Sequence, residues 1–127
     1  KTTNRYFNYI YVRMGAHTLI HKRTEDDIWK NLFELPLVET EKDLSEEEFL
    51  ACPQFHALFA EGEVRMVRTL LRGVKHVLSH RVIYTNFYEV TLPDNSSSFS
   101  SYQRVAVEDL GRYAVPRLIH AFLEKYV

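Results

Sequence analysis

Residues 27–39 read DIWKNLFELPLVE, a stretch that joins a tryptophan to a short apolar run with a proline inside it. The apolar residues from Leu32 to Val38 predict a short strand. Pro36 limits the pairing of that strand because proline has no amide hydrogen to donate. The polar residues from Thr24 to Asp27 predict a loop before it.

The residues upstream of this stretch predict a β-hairpin. RYFNYIYVRM, from Arg5 to Met14, is rich in aromatic and β-branched side chains, and HTLIHKR, from His17 to Arg23, follows as its partner. Gly15-Ala16 fits a type II′ turn, which takes glycine first. We expect one row of the first strand to pack in the core and one to be exposed. Its alternating rows are Tyr6, Asn8, Ile10 and Val12, and Phe7, Tyr9 and Tyr11.

The residues downstream predict two main helices with strands between them. Ser45 lies three residues before Glu48, the spacing of a capping box, and Cys52-Pro53 interrupts the helix that begins there. Pro116 opens the last helix, which runs to about Lys125. Between them we expect helical turns at 54–59, strands at 74–78, 82–92 and 103–107, and a mobile serine-rich loop at 93–101. The order β-β-β-α-β-β-β-α predicts a mixed α/β or α+β domain.

The composition excludes several classes of protein. The chain has 127 residues and a formal net charge of −1, so its total charge points to no partner. The single cysteine, Cys52, excludes a disulfide framework and multi-cysteine metal sites. No apolar run reaches the ~20 residues that span a bilayer, and no signal peptide is present. We therefore expect a cytoplasmic protein without membrane contact, and Lys1 in place of a methionine suggests a piece of a longer chain.

Charge is unevenly distributed along the sequence. Residues 25–48 contain ten acidic side chains and two lysines, whereas residues 64–88 contain five basic side chains and no acidic one. The basic stretch also carries two histidines and several aromatic residues, including Tyr84. It predicts a phosphate-contacting surface. The alternative is a solvated face that complements the acidic one.

Three stretches resemble one family in order and spacing. They are DIWKNLFELPLVE at 27–39, VKHVLSHR at 74–81 and VAVEDLGRYAVPR at 105–117. Together they resemble the C-terminal Nudix-like domain of adenine DNA glycosylases of the MutY type. The resemblance implies a Nudix-like fold, a mixed β-sheet packed with two main helices, that spans residues 5–127. Residues 1–4 would be the remnant of a linker.

The resemblance also implies a function in base excision repair. In that family an N-terminal catalytic domain, missing here, carries an iron–sulfur cluster and removes adenine that is mispaired with 8-oxoguanine. The C-terminal domain recognises the 8-oxoguanine in double-stranded DNA. We therefore expect this chain to bind such DNA and the parent's catalytic domain, to hold no cofactor itself, and to have no glycosylase activity alone.

The resemblance assigns lesion recognition to Ser79 and His80, with Leu78 at the position of the family's usual phenylalanine. The chemistry of the base agrees, because oxidation of guanine gives O8 as an acceptor and turns N7 into an N–H donor. A hydroxyl can accept a hydrogen bond from N7–H or donate one to O8, whereas arginine can only donate. Candidates for phosphate contact are Lys75, Arg72 and Arg81. Without the resemblance, Ser79-His80 would be an ordinary turn.

The sequence gives less support to other kinds of functional site. A Nudix hydrolase needs Arg-Glu-x-x-Glu-Glu on a helix to hold divalent metal, and no Arg-Glu pair occurs in the chain. His76 and His80 would share a helical face for zinc, but their segment reads as strand. Cys52 lacks partners for a nucleophile. The alternative function is a non-catalytic Nudix-like module that binds a nucleotide or a protein partner.

Overall fold

The computed structural model describes residues 2–127, which form seven strands and three α-helices. The strands are β1 (Thr3–Arg13), β2 (His17–Lys22), β3 (Phe33–Glu34), β4 (Leu37–Thr40), β5 (Met66–Leu78), β6 (Arg81–Thr91) and β7 (Gln103–Ala106). The α-helices are α1 (Glu46–Ala51), α2 (Pro53–His56) and α3 (Arg117–Tyr126). A 3₁₀ helix (Val107–Arg112) lies between β7 and α3. The predicted mixed class is confirmed.

The strands form two sheets. A four-stranded sheet has the order β4-β1-β6-β5, and a three-stranded sheet has the order β3-β2-β7. β1 runs parallel to β6, whereas the other pairs are antiparallel. β1 therefore lies inside the larger sheet, between β4 and β6. The predicted hairpin of β1 with β2 is wrong beyond its turn: the two segments meet only at the Met14–His17 bridge, and β2 pairs with β3 and β7 in the other sheet.

β1 is buried on both faces of the larger sheet, which corrects the expectation of one exposed row. On the α3 face, Tyr11 packs against Phe122 of helix α3. On the α1 face, the side of Ile10 and Val12, the rings of Phe49 in α1 and Tyr88 stack 4.6 Å apart. The strand is covered on both sides from Phe7 to Val12 because helices pack on each face.

Three predicted strand boundaries are corrected. The strand expected at 32–38 divides at Leu35-Pro36 into β3 and β4, which belong to different sheets, and the carbonyl of Pro36 accepts from the amide of Ile10. β1 begins at Thr3, so two of the residues assigned to the linker are strand, while Lys1 lies outside the described residues. β5 has 13 residues rather than five, because bulges between Thr69 and Val74 break the alternation that marks a strand.

Both helix signals are confirmed. Ser45 and Glu48 form the reciprocal capping box, and α1 stops at Cys52, where Pro53 starts α2. α3 buries Leu118, Ile119 and Phe122. Pro116 is the N-terminal cap residue of this helix.

The serine-rich loop at 93–101 is anchored rather than mobile. The carboxylate of Glu63 accepts from the hydroxyls of Ser96 (2.6 Å) and Ser98 (2.7 Å) and from the amide of Ser97 (3.1 Å). These hydrogen bonds lower the pKa of Glu63 to about 2, because they favour its charged form. The partner of the loop lies 33 residues or more away in sequence, so composition alone did not reveal it.

Candidate functional site

Ser79 and His80 form the two-residue turn at the end of the long β5–β6 hairpin, with both side chains exposed. Leu78 and Arg81 are the last paired residues before the turn. We call Ser79 and His80 the hairpin tip. The tip is tied to β1, because the amide of Thr3 donates to the carbonyl of His80 at 2.8 Å.

Ser79 has a left-handed backbone, with φ of 44°. His80 does not, and a positive φ at the first central residue alone is typical of a type II′ turn, where glycine is preferred. A side chain at such a position costs conformational energy. Serine therefore occupies a position at which the backbone conformation favours glycine, and its exposed side chain places the hydroxyl in solvent.

Leu78 lies beside the tip and is half-buried. Its side chain packs against the core cluster on the α3 face, which includes Phe7 and Ile83. His76, two residues earlier, lies on the same face, and its ring centroid is 6.0 Å from that of Trp29. Leu78 thus anchors the end of the hairpin. His76 and His80 lie on a strand and a turn, so the helical spacing considered for zinc does not exist.

The three basic candidates lie in different surroundings. Arg72 donates to the hydroxyl of Tyr88 at 2.7 Å and to the carbonyl of Leu44 at 2.8 Å, so its guanidinium is already engaged inside the domain. Lys75 and Arg81 are exposed near the tip. Strand alternation points Lys75 to the α1 face and Arg81 to the α3 face, on either side of the hairpin.

A buried amide network fixes the side to which Lys75 points. Gly73 has φ of 70° within the β5 bulge, and its amide donates to Oδ1 of Asn86 at 2.8 Å. Asn86 in turn donates to Asn8 and to Asp43, each at 3.2 Å. Because the bulge resets the alternation of β5, these contacts decide the orientation of the five residues that lead to the tip.

Sequence reasoning missed one feature next to the tip. The rings of Tyr6 in β1 and Tyr84 in β6 stack on the α1 face, with centroids 5.6 Å apart and planes 16° apart. Lys75 lies opposite Tyr84 on the neighbouring strand. The aromatic content of both segments is visible in the sequence, but the contact depends on the parallel pairing of β1 with β6, which no local pattern indicates.

A network of ion pairs lies on the α3 face at the same end of the sheet. Arg5 contacts Asp27 and Glu39, each at 2.8 Å, and Arg23 contacts both Asp27 (2.9 Å) and Glu34 (3.0 Å). These five residues are the ion-pair network. Three acidic residues of the 25–48 segment are therefore paired with Arg5 of β1 and with Arg23, which follows β2, while Asp43 lies 3.7 Å from Arg72 of the basic segment at 64–88.

The carboxylate of Glu34 is the buried centre of this network. Its side chain is 2% exposed and accepts from the Tyr9 hydroxyl at 2.6 Å, while Nε2 of His21 lies 3.0 Å away. Burial and this carboxylate raise the pKa of Tyr9. The hydrogen bonds from Arg5 lower the pKa of Asp27 to about 2. The adjoining cavity of about 400 Å³ is lined by four charged members of this network, Arg23, Asp27, Glu34 and Glu39, and by Glu25 and Asp26.

The acidic residues at the start of α1 also have structural partners. Glu48 closes the capping box, and Glu46 accepts from the hydroxyl of Thr69. Within residues 2–127 no group of three or more histidine, cysteine or acidic side chains is arranged to hold a metal ion. None of the helices in that range is long and apolar enough to cross a membrane.

The sequence pattern of the NUDIX domain matches residues 8–125, so the chain belongs to the NUDIX domain family. A search among curated proteins gives no match. Among solved structures, the C-terminal domain of mouse MUTYH, in complex with human PCNA, has a TM-score of 0.68 at 15% identity, over 96% of this chain and 86% of that one.

MutT structures are also similar. MutT from Methanosarcina mazei has a TM-score of 0.63 at 17% identity, over 98% of this chain and 94% of that one. A MutT described from Aliivibrio salmonicida and Vibrio cholerae has the same score at 15% identity, over 97% and 96%. At these identities the likenesses establish the Nudix-like fold, which confirms the expected fold class.

Proposed function

We propose that this chain is the lesion-recognition domain of an adenine DNA glycosylase. In this proposal it binds double-stranded DNA that contains 8-oxoguanine opposite adenine, and the parent's N-terminal domain supplies catalysis. The iron–sulfur cluster belongs to that domain, since Cys52 is the only cysteine here. The observation that carries the proposal is the exposed serine at the hairpin tip, in the motif that resembles the family's recognition loop.

The tip has the chemistry that an oxidised guanine requires. The Ser79 hydroxyl can accept from N7–H or donate to O8, whereas guanine offers a lone pair at N7 and no O8. His80 assists at the same edge or at the adjoining phosphate. The half-buried Leu78 supports the turn from the core side and does not supply the wedge that an aromatic residue at this position would provide.

The flanking basic residues give affinity without selectivity. Lys75 and Arg81 are exposed on opposite sides of the hairpin and would contact phosphates of the duplex. Arg72 contributes less than its sequence position suggests, because Tyr88 and Leu44 already engage its guanidinium. Each phosphate contact adds to the salt dependence of binding.

The test compares two substitutions at Ser79 that both remove the hydroxyl. Ser79→Gly suits the positive φ, and Ser79→Ala retains a Cβ, so the two differ in backbone strain but not in hydrogen bonding. The affinities of the chain for duplexes with 8-oxoguanine·adenine and guanine·adenine are measured by fluorescence anisotropy. We expect both variants to lose about 1–3 kcal/mol of preference for the oxidised duplex.

The same experiment can reject the proposal. A wild-type chain that binds both duplexes equally has no lesion selectivity, and retained selectivity in both variants removes Ser79 from the readout. His120→Ala is the matched control, because His120 is exposed on α3, outside the β5–β6 hairpin. Its affinity and its preference are expected to equal those of the wild type.

A second candidate is a Nudix-like module that binds a protein partner. The similar MUTYH domain was solved in complex with PCNA, which favours this alternative. The alternative predicts that the chain binds PCNA and that neither duplex binds at low salt. Binding of both PCNA and the oxidised duplex would leave the main proposal in place.

A further inference from the structure

A row of three polar groups crosses the α1 face of the larger sheet beside the hairpin tip. Tyr6 pairs with Tyr84 across β1 and β6, and Lys75 pairs with Tyr84 across β5 and β6. Directly paired residues of neighbouring strands point to the same side of a sheet. We call Tyr6, Tyr84 and Lys75 the tyrosine–lysine row.

The row presents hydrogen-bond donors rather than flat ring faces. The two tyrosine rings are nearly parallel, 16° apart, and stack on each other across adjacent strands. Each ring covers the face that the other turns toward it. Because side chains in strands stand roughly perpendicular to the sheet, the two hydroxyls point away from the sheet. With the exposed ammonium of Lys75, the row offers three donors on one side.

The helices leave this part of the α1 face open. Phe49 of α1 covers Tyr88, whereas nearer the tip Val82 and Tyr84 are only partly buried and Lys75 is exposed. Val77 is 61% exposed there and lies opposite Val82, between the row and the tip. The row and the tip therefore form one continuous surface.

Lys75 supplies a positive charge to this surface. Arg5 and Glu39 alternate to the α3 face, where they join the ion-pair network, so neither faces the row. Asp43 lies farther from the tip, at the amide network, where it contacts Asn86 and lies 3.7 Å from Arg72. Lys75 is therefore the charged member at the level of the two tyrosines.

We propose that the tyrosine–lysine row binds a backbone phosphate of the DNA strand whose lesion lies at the hairpin tip. Phenol hydroxyls and ammonium groups donate to phosphate oxygens, and the valines suit the deoxyribose between. About four residues of strand separate the row from the tip, about 13 Å, which corresponds to about four nucleotides of helical rise. The inference rests on the proposed function and adds Tyr6 and Tyr84 to the interface.

The test uses substitutions that remove only a hydroxyl. Tyr6→Phe, Tyr84→Phe and the double variant retain the ring stack, and Tyr126→Phe is the matched control at the opposite end of the sheet. We expect each variant in the row to weaken binding of the 127-residue chain to both duplexes by about threefold to tenfold. Their salt dependence stays unchanged, whereas Lys75→Gln lowers its slope by about one.

The results separate this inference from the proposed function. If the double variant binds with wild-type affinity, the row is not a phosphate site. That result would agree instead with a base stacked on the rings, because phenylalanine stacks as well as tyrosine. An equal loss of DNA affinity in Tyr126→Phe also overturns the row as a phosphate site. If the Ser79 variants lose selectivity while the tyrosine variants bind like the wild type, the proposed function stands and the phosphate site is rejected. If the tyrosine variants bind DNA more weakly but the wild-type chain shows no lesion selectivity, the phosphate site stands and the proposed function is rejected.

Discussion

The two faces of β1 differ sharply at the end of the sheet that carries the hairpin tip. Arg5 points to the α3 face and contacts two carboxylates at 2.8 Å, whereas the next residue, Tyr6, points to the α1 face and only stacks on Tyr84. On the first face the ion-pair network is satisfied internally. On the second, donors point to solvent. Neighbouring residues thus divide between stabilising the fold and forming the surface that we propose binds DNA.

The ion-pair network is expected to give the largest effect of any substitution considered. Arg23→Met leaves the buried carboxylate of Glu34 without its guanidinium partner, and removal of one member of a buried pair costs about 3–5 kcal/mol. Urea unfolding of the wild type and the variant measures this loss.

Arg112→Met is the control for that substitution, because the pair of Arg112 with Asp109 is exposed and such pairs contribute about 0–1 kcal/mol. A loss below about 1 kcal/mol in Arg23→Met would contradict the stabilising role of the network. It would also remove the contrast between the two faces.

Arg72 and Lys75 provide a sharper comparison, because both are basic residues of β5 that the sequence presents as equivalent. Arg72→Gln loses the hydrogen bonds to Tyr88 and Leu44 and is expected to lower the free energy of unfolding by about 1–2 kcal/mol. Its salt dependence of DNA binding should equal that of the wild type. Lys75→Gln should show the reverse pattern, and the same pattern in both variants would reject the distinction.

The smallest expected effect is the acid response of Asp27. Its pKa is lowered from 3.8 to about 2, mainly by the hydrogen bonds from Arg5. The contribution of Asp27 is therefore present above pH ~4 and is lost as the pH falls toward about 2. Urea unfolding between about pH 5 and about pH 2 should show a shallower decline in Asp27→Asn than in the wild type.

Glu63 titrates over the same acid range, so the informative quantity is the difference between variant and wild type rather than the slope itself. An identical decline in both chains would show that Asp27 gains nothing from Arg5. In that case the stability of the network would depend on Glu34 and Glu39.

Local signals in the sequence predicted the parts of the fold that depend on neighbouring residues. The Ser45–Glu48 capping box, the break at Pro53 and the turn at Ser79-His80 each follow from a few adjacent side chains. The position of the tip is therefore encoded locally, within the segment that forms it.

Features that depend on distant pairing could not be predicted. The Tyr6–Tyr84 stack needs the parallel register of two strands about 80 residues apart, and the partners of Arg72 come from the loop before α1 and from β6. The bulge at Gly73 concealed most of β5 because it interrupts the two-residue period. Residues of the tip can thus be identified from the sequence, while the surface beside it requires the fold.

The most direct test of lesion recognition is an NMR titration of the chain with 8-oxoguanine·adenine and guanine·adenine duplexes at low salt. We expect larger amide shifts from Leu78 to Arg81 with the oxidised duplex than with its unoxidised counterpart. Equal shifts with both duplexes, or none at the tip, would contradict it.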